Sequence, residues 1–227
     1  MSAKNRAGSS SPDLDVCPTP PALARTCLRL LDIRPGMKVL EPSAADGRWL
    51  RELRALHGPN FHAHALELRK SMADTLVEGV SPFKAWDVTT GVRYQDFMSR
   101  PRGGFDLVVG NPPYTFASDF IRHSMFMLGD GGILAFLLRL PFRVPKARRA
   151  LFKQFPVWRY YAPEDRPSFD GDGTDATEYA LFVQRKNRPR DDDGILRTFA
   201  WCPERRESSV IEADVAEIRR LDIRVAA

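Results

Sequence analysis

From Met37 onward, short apolar runs of strand type alternate with amphipathic stretches of helical period, and this alternation constrains the fold more than any other feature. A repeating strand–helix–strand pattern implies right-handed crossovers and a mostly parallel sheet with helices on both faces. The predicted strands are Lys38–Glu41, Phe61–Glu67, Phe83–Trp86, Phe105–Val109 and Ile133–Arg139. Helices are predicted near Arg48–His57, Arg69–Val77 and Ala117–Leu128. A further helix near Lys146–Gln154 precedes two strands, Arg159–Ala162 and Tyr179–Gln184, sized for an antiparallel hairpin that completes a seven-stranded sheet. Upstream, Pro18 to Pro21 open a helix over Pro21–Leu31 that ends at the turn Arg34-Pro35-Gly36. A polar linker over Asn187–Gly194 leads to a short strand, Leu196–Trp201, and a helix near Ser209–Leu221. The expected division is a disordered tail over 1–15, one α/β domain over 16–186 and a short extension over 187–227.

Composition narrows the class. A chain of 227 residues suits one sizeable domain, and 43% hydrophobic with 28% charged residues excludes disorder throughout. The longest uncharged apolar run is Ile133–Leu138, far short of the roughly 20 residues that cross a bilayer. The basic N-terminal segment has no apolar stretch behind it, so no secretory signal is predicted and a cytoplasmic location is expected. Cys17, Cys27 and Cys202 are an odd set without C-x-x-C spacing, which predicts buried thiols and no disulfide framework or metal site.

Net charge is +5, from 34 Lys+Arg against 29 Asp+Glu, and the surplus is local. Between Gly131 and Pro163 stand Arg139, Arg143, Lys146, Arg148, Arg149, Lys153 and Arg159 with no acidic residue. An unbalanced stretch of this kind suits a polyanion such as nucleic acid, through phosphate contacts and counterion release.

Three strand ends carry candidate chemistry. Val39-Leu40-Glu41-Pro42-Ser43-Ala44-Ala45-Asp46-Gly47 is an apolar strand that ends in an acid and passes a small-residue turn into a helix. Small side chains there let the backbone approach a ligand, and ligands of open parallel sheets bind outside the carboxyl ends of the strands. Glu67 ends the next strand, where an acid commonly accepts from ribose hydroxyls, and Asp87 follows the predicted third strand. Three acids in register point to a cofactor that carries a nucleoside.

The fourth strand runs into Gly110-Asn111-Pro112-Pro113-Tyr114. Two consecutive prolines fix the backbone and remove two amide donors, leaving an acceptor site. The Asn111 side-chain oxygen and the Pro112 carbonyl can together receive both hydrogens of an exocyclic NH2. Tyr114 offers a flat face on which a base can stack.

These motifs resemble those of the S-adenosylmethionine-dependent amino-methyltransferases, particularly the N6-adenine DNA methyltransferases. Glu41-Pro42-Ser43-Ala44-Ala45-Asp46-Gly47 is similar to that family's first motif, Glu67 and Asp87 to its second and third acidic positions, and Asn111-Pro112-Pro113-Tyr114 to its catalytic tetrapeptide. Pro18-Thr19-Pro20 resembles the segment lying along the cofactor's methionine moiety, and the motif order is that of the gamma-type arrangement. The resemblance covers about Val16 to Lys186. It implies a Rossmann-like methyltransferase fold and S-adenosylmethionine as cofactor. It also implies cofactor binding by Thr19, Pro20, Glu41, Pro42, Ser43, Ala45, Gly47, Glu67, Asp87 and Asn111. Catalysis falls to Asn111, Pro112, Pro113 and Tyr114.

One departure is Ala45, where the family usually has glycine: a β-carbon tolerates ordinary backbone angles but not a positive φ. The resemblance further implies that an aromatic residue before the late hairpin covers a flipped base, which makes Phe169 a substrate-binding candidate beside Tyr114, Arg139, Arg143 and Lys146. The acidic loop from Asp170 is not a calcium loop, because its sixth position is Asp175 and its twelfth Leu181.

Methylation of RNA or of a protein glutamine amide, and a cofactor fold that has lost turnover, are the alternatives. About 36 residues precede the first strand, less than the helical domain usual in glutamine methyltransferases. About 40 follow the hairpin, which predicts short-site or relaxed specificity, or help from a partner.

Overall fold

A computed structural model describes residues 18–58, 60–67, 86–90, 104–167, 169, 177–187 and 196–199, the backbone alone being described at 86–90 and 196–199. The predicted tail over 1–15, the helices near 69–77 and 209–221, the residues of the acidic loop over 170–176, the linker beyond Asn187, and Cys17 and Cys202 lie outside the described residues.

Eight strands form one sheet: β1 Lys38–Glu41, β2 His62–Glu67, β3 Trp86–Thr90, β4 Phe105–Gly110, β5 Leu128–Arg139, β6 Arg159–Pro163, β7 Tyr179–Arg185 and β8 Leu196–Phe199. Their order is β3-β2-β1-β4-β5-β7-β6-β8. Only β7 runs against its neighbours; it inserts between β5 and β6 and pairs antiparallel with both. β8 pairs parallel with β6, so the strand predicted near Leu196 joins the sheet and the count is eight where seven were expected. The helices are α1 Pro21–Arg29, α2 Arg48–His57, α3 Ala117–Met127 and α4 Arg149–Gln154.

The parity of side chains along each strand sorts the core into two layers. Val39, Ala65, Leu107, Val109, Ala135 and Leu137 pack with α1 and α2, through Leu23, Cys27, Leu28, Trp49, Leu50 and Leu53. The intervening Leu40, Val108, Leu134, Phe136 and Leu138 pack on the other face with Ile121 and Met125 of α3 and Leu151 of α4. Cys27 is fully buried and free, and its burial pushes the thiol pKa far above the ordinary range, as expected of an inert core thiol.

Three boundaries differ from expectation. β3 begins at Trp86 rather than ending there, so Asp87 lies second in the strand. Its register partner is His64, whereas Glu67 is opposite Thr90. β5 starts at Leu128, directly after α3, because Leu128 pairs with Phe105 across a register shift. The helix predicted over Lys146–Gln154 is a 3-10 turn, Lys146–Arg148, followed by the six-residue α4. Pro145, with φ −60°, sets the tight turn, and a proline ahead of a helix fixes only its start.

Candidate active site

The site lies at the carboxyl ends of β1, β2 and β4, where parallel sheets bind ligands. At the end of β1 the chain turns through Pro42–Gly47 into α2, with the Ala44 N–H bonded to the Leu66 carbonyl (2.9 Å) and the Gly47 N–H to the Ala44 carbonyl (2.6 Å). Gly47 caps the helix at φ 76°, a left-handed conformation that glycine adopts without steric cost. Ala45 also has a positive φ, 48°. Its β-carbon is therefore strained, by about 1–2 kcal/mol for a left-handed L-residue. The Ala45 N–H donates to Glu67 Oε2 at 2.7 Å, so the acid ending β2 holds the strained residue in place.

Thr19 joins this turn from outside the sheet. Its carbonyl accepts from Arg48 Nη1 (3.1 Å) and its hydroxyl oxygen from Trp49 Nε1 (3.2 Å). The Arg48 Nε also donates to Asp46 Oδ2 at 2.5 Å, and Arg51 pairs with the same oxygen at 3.3 Å. Pro20 is the N-cap of α1 and Pro21 its first residue, so the proline segment enters the helix without an unsatisfied N–H at that position. Arg48 and Trp49 were not foreseen as parts of the site. Their only signal is their place at the start of the helix after the small-residue turn.

Pro18, Thr19, Glu41, Ser43, Ala44, Ala45, Asp46, Arg48, Trp49 and Asn111 line one pocket, with about 240 Å³ of space including its opening to solvent. The proline corner and the acid-ended strand therefore meet in a single cavity. Register accounts for this: Leu40 pairs with Val108, which puts Glu41 beside the end of β4. Gly110, at φ 153°, turns the chain toward Asn111 in a conformation that side chains rarely adopt, and a β-carbon on it would lie 3.5 Å from Glu41 Cγ.

Glu41 is 1% exposed, and its Oε2 has no hydrogen-bond partner. Burial, with repulsion from Asp46 and Glu67, drives its pKa well above the ordinary carboxylate range, against a Leu50 backbone hydrogen bond and Arg51. Ser43 Oγ and Asp46 Oδ1 are also buried without a hydrogen-bond partner. Unpartnered acceptors around one cavity fit a ligand that brings its own donors and positive charge. S-Adenosylmethionine has such groups: a sulfonium, an ammonium and ribose hydroxyls. Glu41, Ser43 and Asp46 offer acceptors to them, and Glu67 has a second carboxylate oxygen beyond the one on Ala45.

The other side of Asn111 is aromatic and basic. Tyr114 starts a 3-10 turn, Tyr114–Phe116, that leads into α3. Its ring lies 6.0 Å from that of Tyr179, which lies 4.8 Å from Phe169. The Arg139 guanidinium sits over the Tyr114 ring at 4.8 Å. The structure thus brings together Tyr114, Arg139 and Phe169, which the sequence placed far apart. The bridging Tyr179 was missed, because only the β5–β7 register, with Arg139 opposite Tyr179, shows that it faces this corner. Arg143 stands over Tyr160 at 5.5 Å, and Lys146 is exposed. Among the described residues no group of three or more His, Cys, Asp or Glu is placed to hold a metal, and no helix is long and apolar enough to cross a membrane.

No family model matches the chain. Curated relatives that match include two from Thermus thermophilus. The type II methyltransferase M.TthHB8I is 31% identical over 115 residues, covering 49% of this chain and 24% of that protein. The tRNA (guanine(6)-N2)-methyltransferase is 27% identical over 143 residues, covering 56% of this chain and 41% of that protein. The chain thus spans less than half the length of either. Among solved structures, the methyltransferase subunit of a type I restriction-modification system from Streptococcus thermophilus superposes with a TM-score of 0.64 at 16% identity, covering 90% of this chain and 53% of that one. At that identity the likeness speaks for the fold alone. The chain has the Rossmann-like fold of the S-adenosylmethionine-dependent methyltransferases, and its strand-end pocket offers acceptors suited to the donors of S-adenosylmethionine.

Proposed function

We propose that the protein transfers a methyl group from S-adenosylmethionine to the exocyclic N6 amino group of adenine in DNA. The observation that carries this reading is the presence of Asn111 in the wall of the pocket that also contains Glu41, Ser43 and Asp46. An acceptor corner for an NH2 group is then within reach of a bound methyl donor.

The cofactor, when bound, supplies an electrophilic methyl on sulfur. The protein's own residues supply placement and polarisation. Pro18 and Thr19 lie along one side of the pocket, with Pro20 following as the N-cap of α1. Asp46 sets negative charge beside the cationic end of the ligand, Glu41 offers its buried carboxyl as a hydrogen-bond partner there, and Glu67 accepts from the ribose.

The Asn111 side-chain oxygen and the Pro112 carbonyl accept the two amino hydrogens. Pro113 keeps the corner rigid, its carbonyl accepting from Phe116 N–H at 3.0 Å. That pairing favours a pyramidal nitrogen whose lone pair leaves ring conjugation and points at the methyl. No side-chain nucleophile is required. Tyr114 and Phe169 enclose the base, which must leave the helix stack to reach them. Arg139, Arg143 and Lys146 contact phosphates.

DNA is preferred over RNA because the M.TthHB8I match is the stronger of the two in identity. The test is incubation with labelled S-adenosylmethionine and, separately, unmethylated DNA, total RNA and a protein extract. Label is expected in DNA and, after digestion, in N6-methyldeoxyadenosine. Label confined to RNA or protein contradicts the substrate, and label nowhere contradicts the activity.

A further inference from the structure

We infer that the loop between β5 and α4 is a wedge that opens duplex DNA beside the target base, with Val144 as its inserted tip. This inference rests on the substrate proposed above and concerns how a paired base reaches the site.

Val144 is 78% exposed, well above Phe116 and Phe126, the other large apolar residues named as exposed among those described. A lone exposed valine is ordinary on a protein surface. This one is held out on a rigid support between two exposed cations, Arg143 and Lys146. The chain leaves β5 through two successive 3-10 turns, Leu140–Arg143 with Pro141 as its second residue and Lys146–Arg148 with Pro145 just before it. The Val144 N–H bonds to the Pro141 carbonyl at 3.0 Å and the Arg148 N–H to the Pro145 carbonyl at 2.9 Å.

Arg148 braces the turn from behind. Its Nη1 donates to the Phe142 carbonyl at 2.9 Å, and its guanidinium lies 4.0 Å over the Phe142 ring. Phe142 is itself anchored in the core, edge-on to Phe152 and Phe182. The loop thus presents an apolar tip it cannot easily withdraw. Rigidity matters because unstacking a base step costs a few kcal/mol, and a tip able to fold aside would yield instead.

Charge selects the partner. Arg143 and Lys146 flank the tip in sequence and are exposed, and exposed Arg149 and Lys153 follow on α4, in a stretch from Gly131 to Pro163 without one acidic residue. Phosphates on both sides of a base step match a tip of this kind. Position selects the step. The loop begins at Arg139, which lies over Tyr114, and five residues of 3-10 turn reach only about 10 Å. With the Arg139 side chain and its 4.8 Å contact to Tyr114 added, Val144 falls within about 20 Å of the proposed base pocket, about six base-pair steps at 3.4 Å per step.

The test compares methyl transfer to an unmethylated plasmid as duplex and after heat denaturation. Wild type is expected to use both forms. In Val144→Ala and Val144→Asp the ratio of duplex to single-strand kcat/KM is expected to fall about tenfold. Phe126→Ala, an exposed apolar change where α3 enters β5 at the opposite end of the sheet, is expected to leave the ratio unchanged.

An equal fall on both forms, no change on either, or the same ratio change in Phe126→Ala overturns the wedge. So does a wild type active on single strands only. A wild type that methylates neither form overturns the proposed function and the wedge with it. Normal single-strand activity with an unchanged ratio in the Val144 variants overturns the wedge alone.

Discussion

The two halves of the site are built on opposite principles. The cofactor half is acidic, buried and locked by main-chain hydrogen bonds: Glu41 at 1% exposure, Glu67 on the Ala45 N–H, and Thr19 tied to Arg48 and Trp49. The substrate half is basic and aromatic, with Arg139 on Tyr114 and Arg143 on Tyr160, and with Lys146 in solvent. A small cationic ligand calls for a closed, pre-set cavity, whereas a long polyanion calls for an open face with charge spread over it. Asn111 sits at the boundary, where the proposed methyl donor and base would meet.

Reciprocal substitutions can break this division. Glu67→Gln removes the charge that holds Ala45 and, in the proposed complex, accepts from the ribose, so cofactor affinity is expected to fall about tenfold, the scale of a hydrogen bond to a charged group. The salt dependence of DNA binding should not change. Arg139→Ala is expected to lower the log–log salt slope of DNA binding by about 1 and to leave cofactor affinity within twofold. Titration calorimetry with S-adenosylmethionine and DNA-binding isotherms at several salt concentrations read both. If either substitution moves both quantities equally, the halves are not separable.

A smaller effect sharpens the account of the turn. Ala45→Gly relieves the positive φ and is expected to raise stability by about 1 kcal/mol in chemical denaturation. A loss of stability would mean that the extra freedom of glycine in the unfolded chain outweighs the relieved strain, since the N–H donated to Glu67 is kept.

The cofactor half was the more legible in sequence, and the reason is physical. Glu41 through Gly47 are contiguous, so strand, turn and helix cap are written in one segment, and α2 falls at Arg48–His57 as predicted. Asn111 to Tyr114 was legible because paired prolines leave few conformations. The substrate half depends on strands far apart in the chain. Tyr179 reaches Tyr114 only because β7 inserts beside β5, an arrangement that no local pattern encodes. Asp87 shows the opposite error: a strand boundary misread by a few residues moved an acid from the strand end to its second position. Thr19, expected beside the cofactor from the motif order, lines the pocket, yet its anchoring by Arg48 and Trp49 is visible only in three dimensions.

The central claim is that one asparagine, at the meeting of the two halves, serves the transfer step and not the holding of either ligand. Asn111→Ala measures it most directly, with cofactor binding and single-turnover methyl transfer read on the same preparation. The account predicts a rate lower by at least about a hundredfold, the scale of losing one preorganised polar contact in a transition state, with cofactor affinity changed less than about threefold. A variant that transfers methyl at near the wild-type rate, or one that loses cofactor binding in proportion to activity, would contradict it.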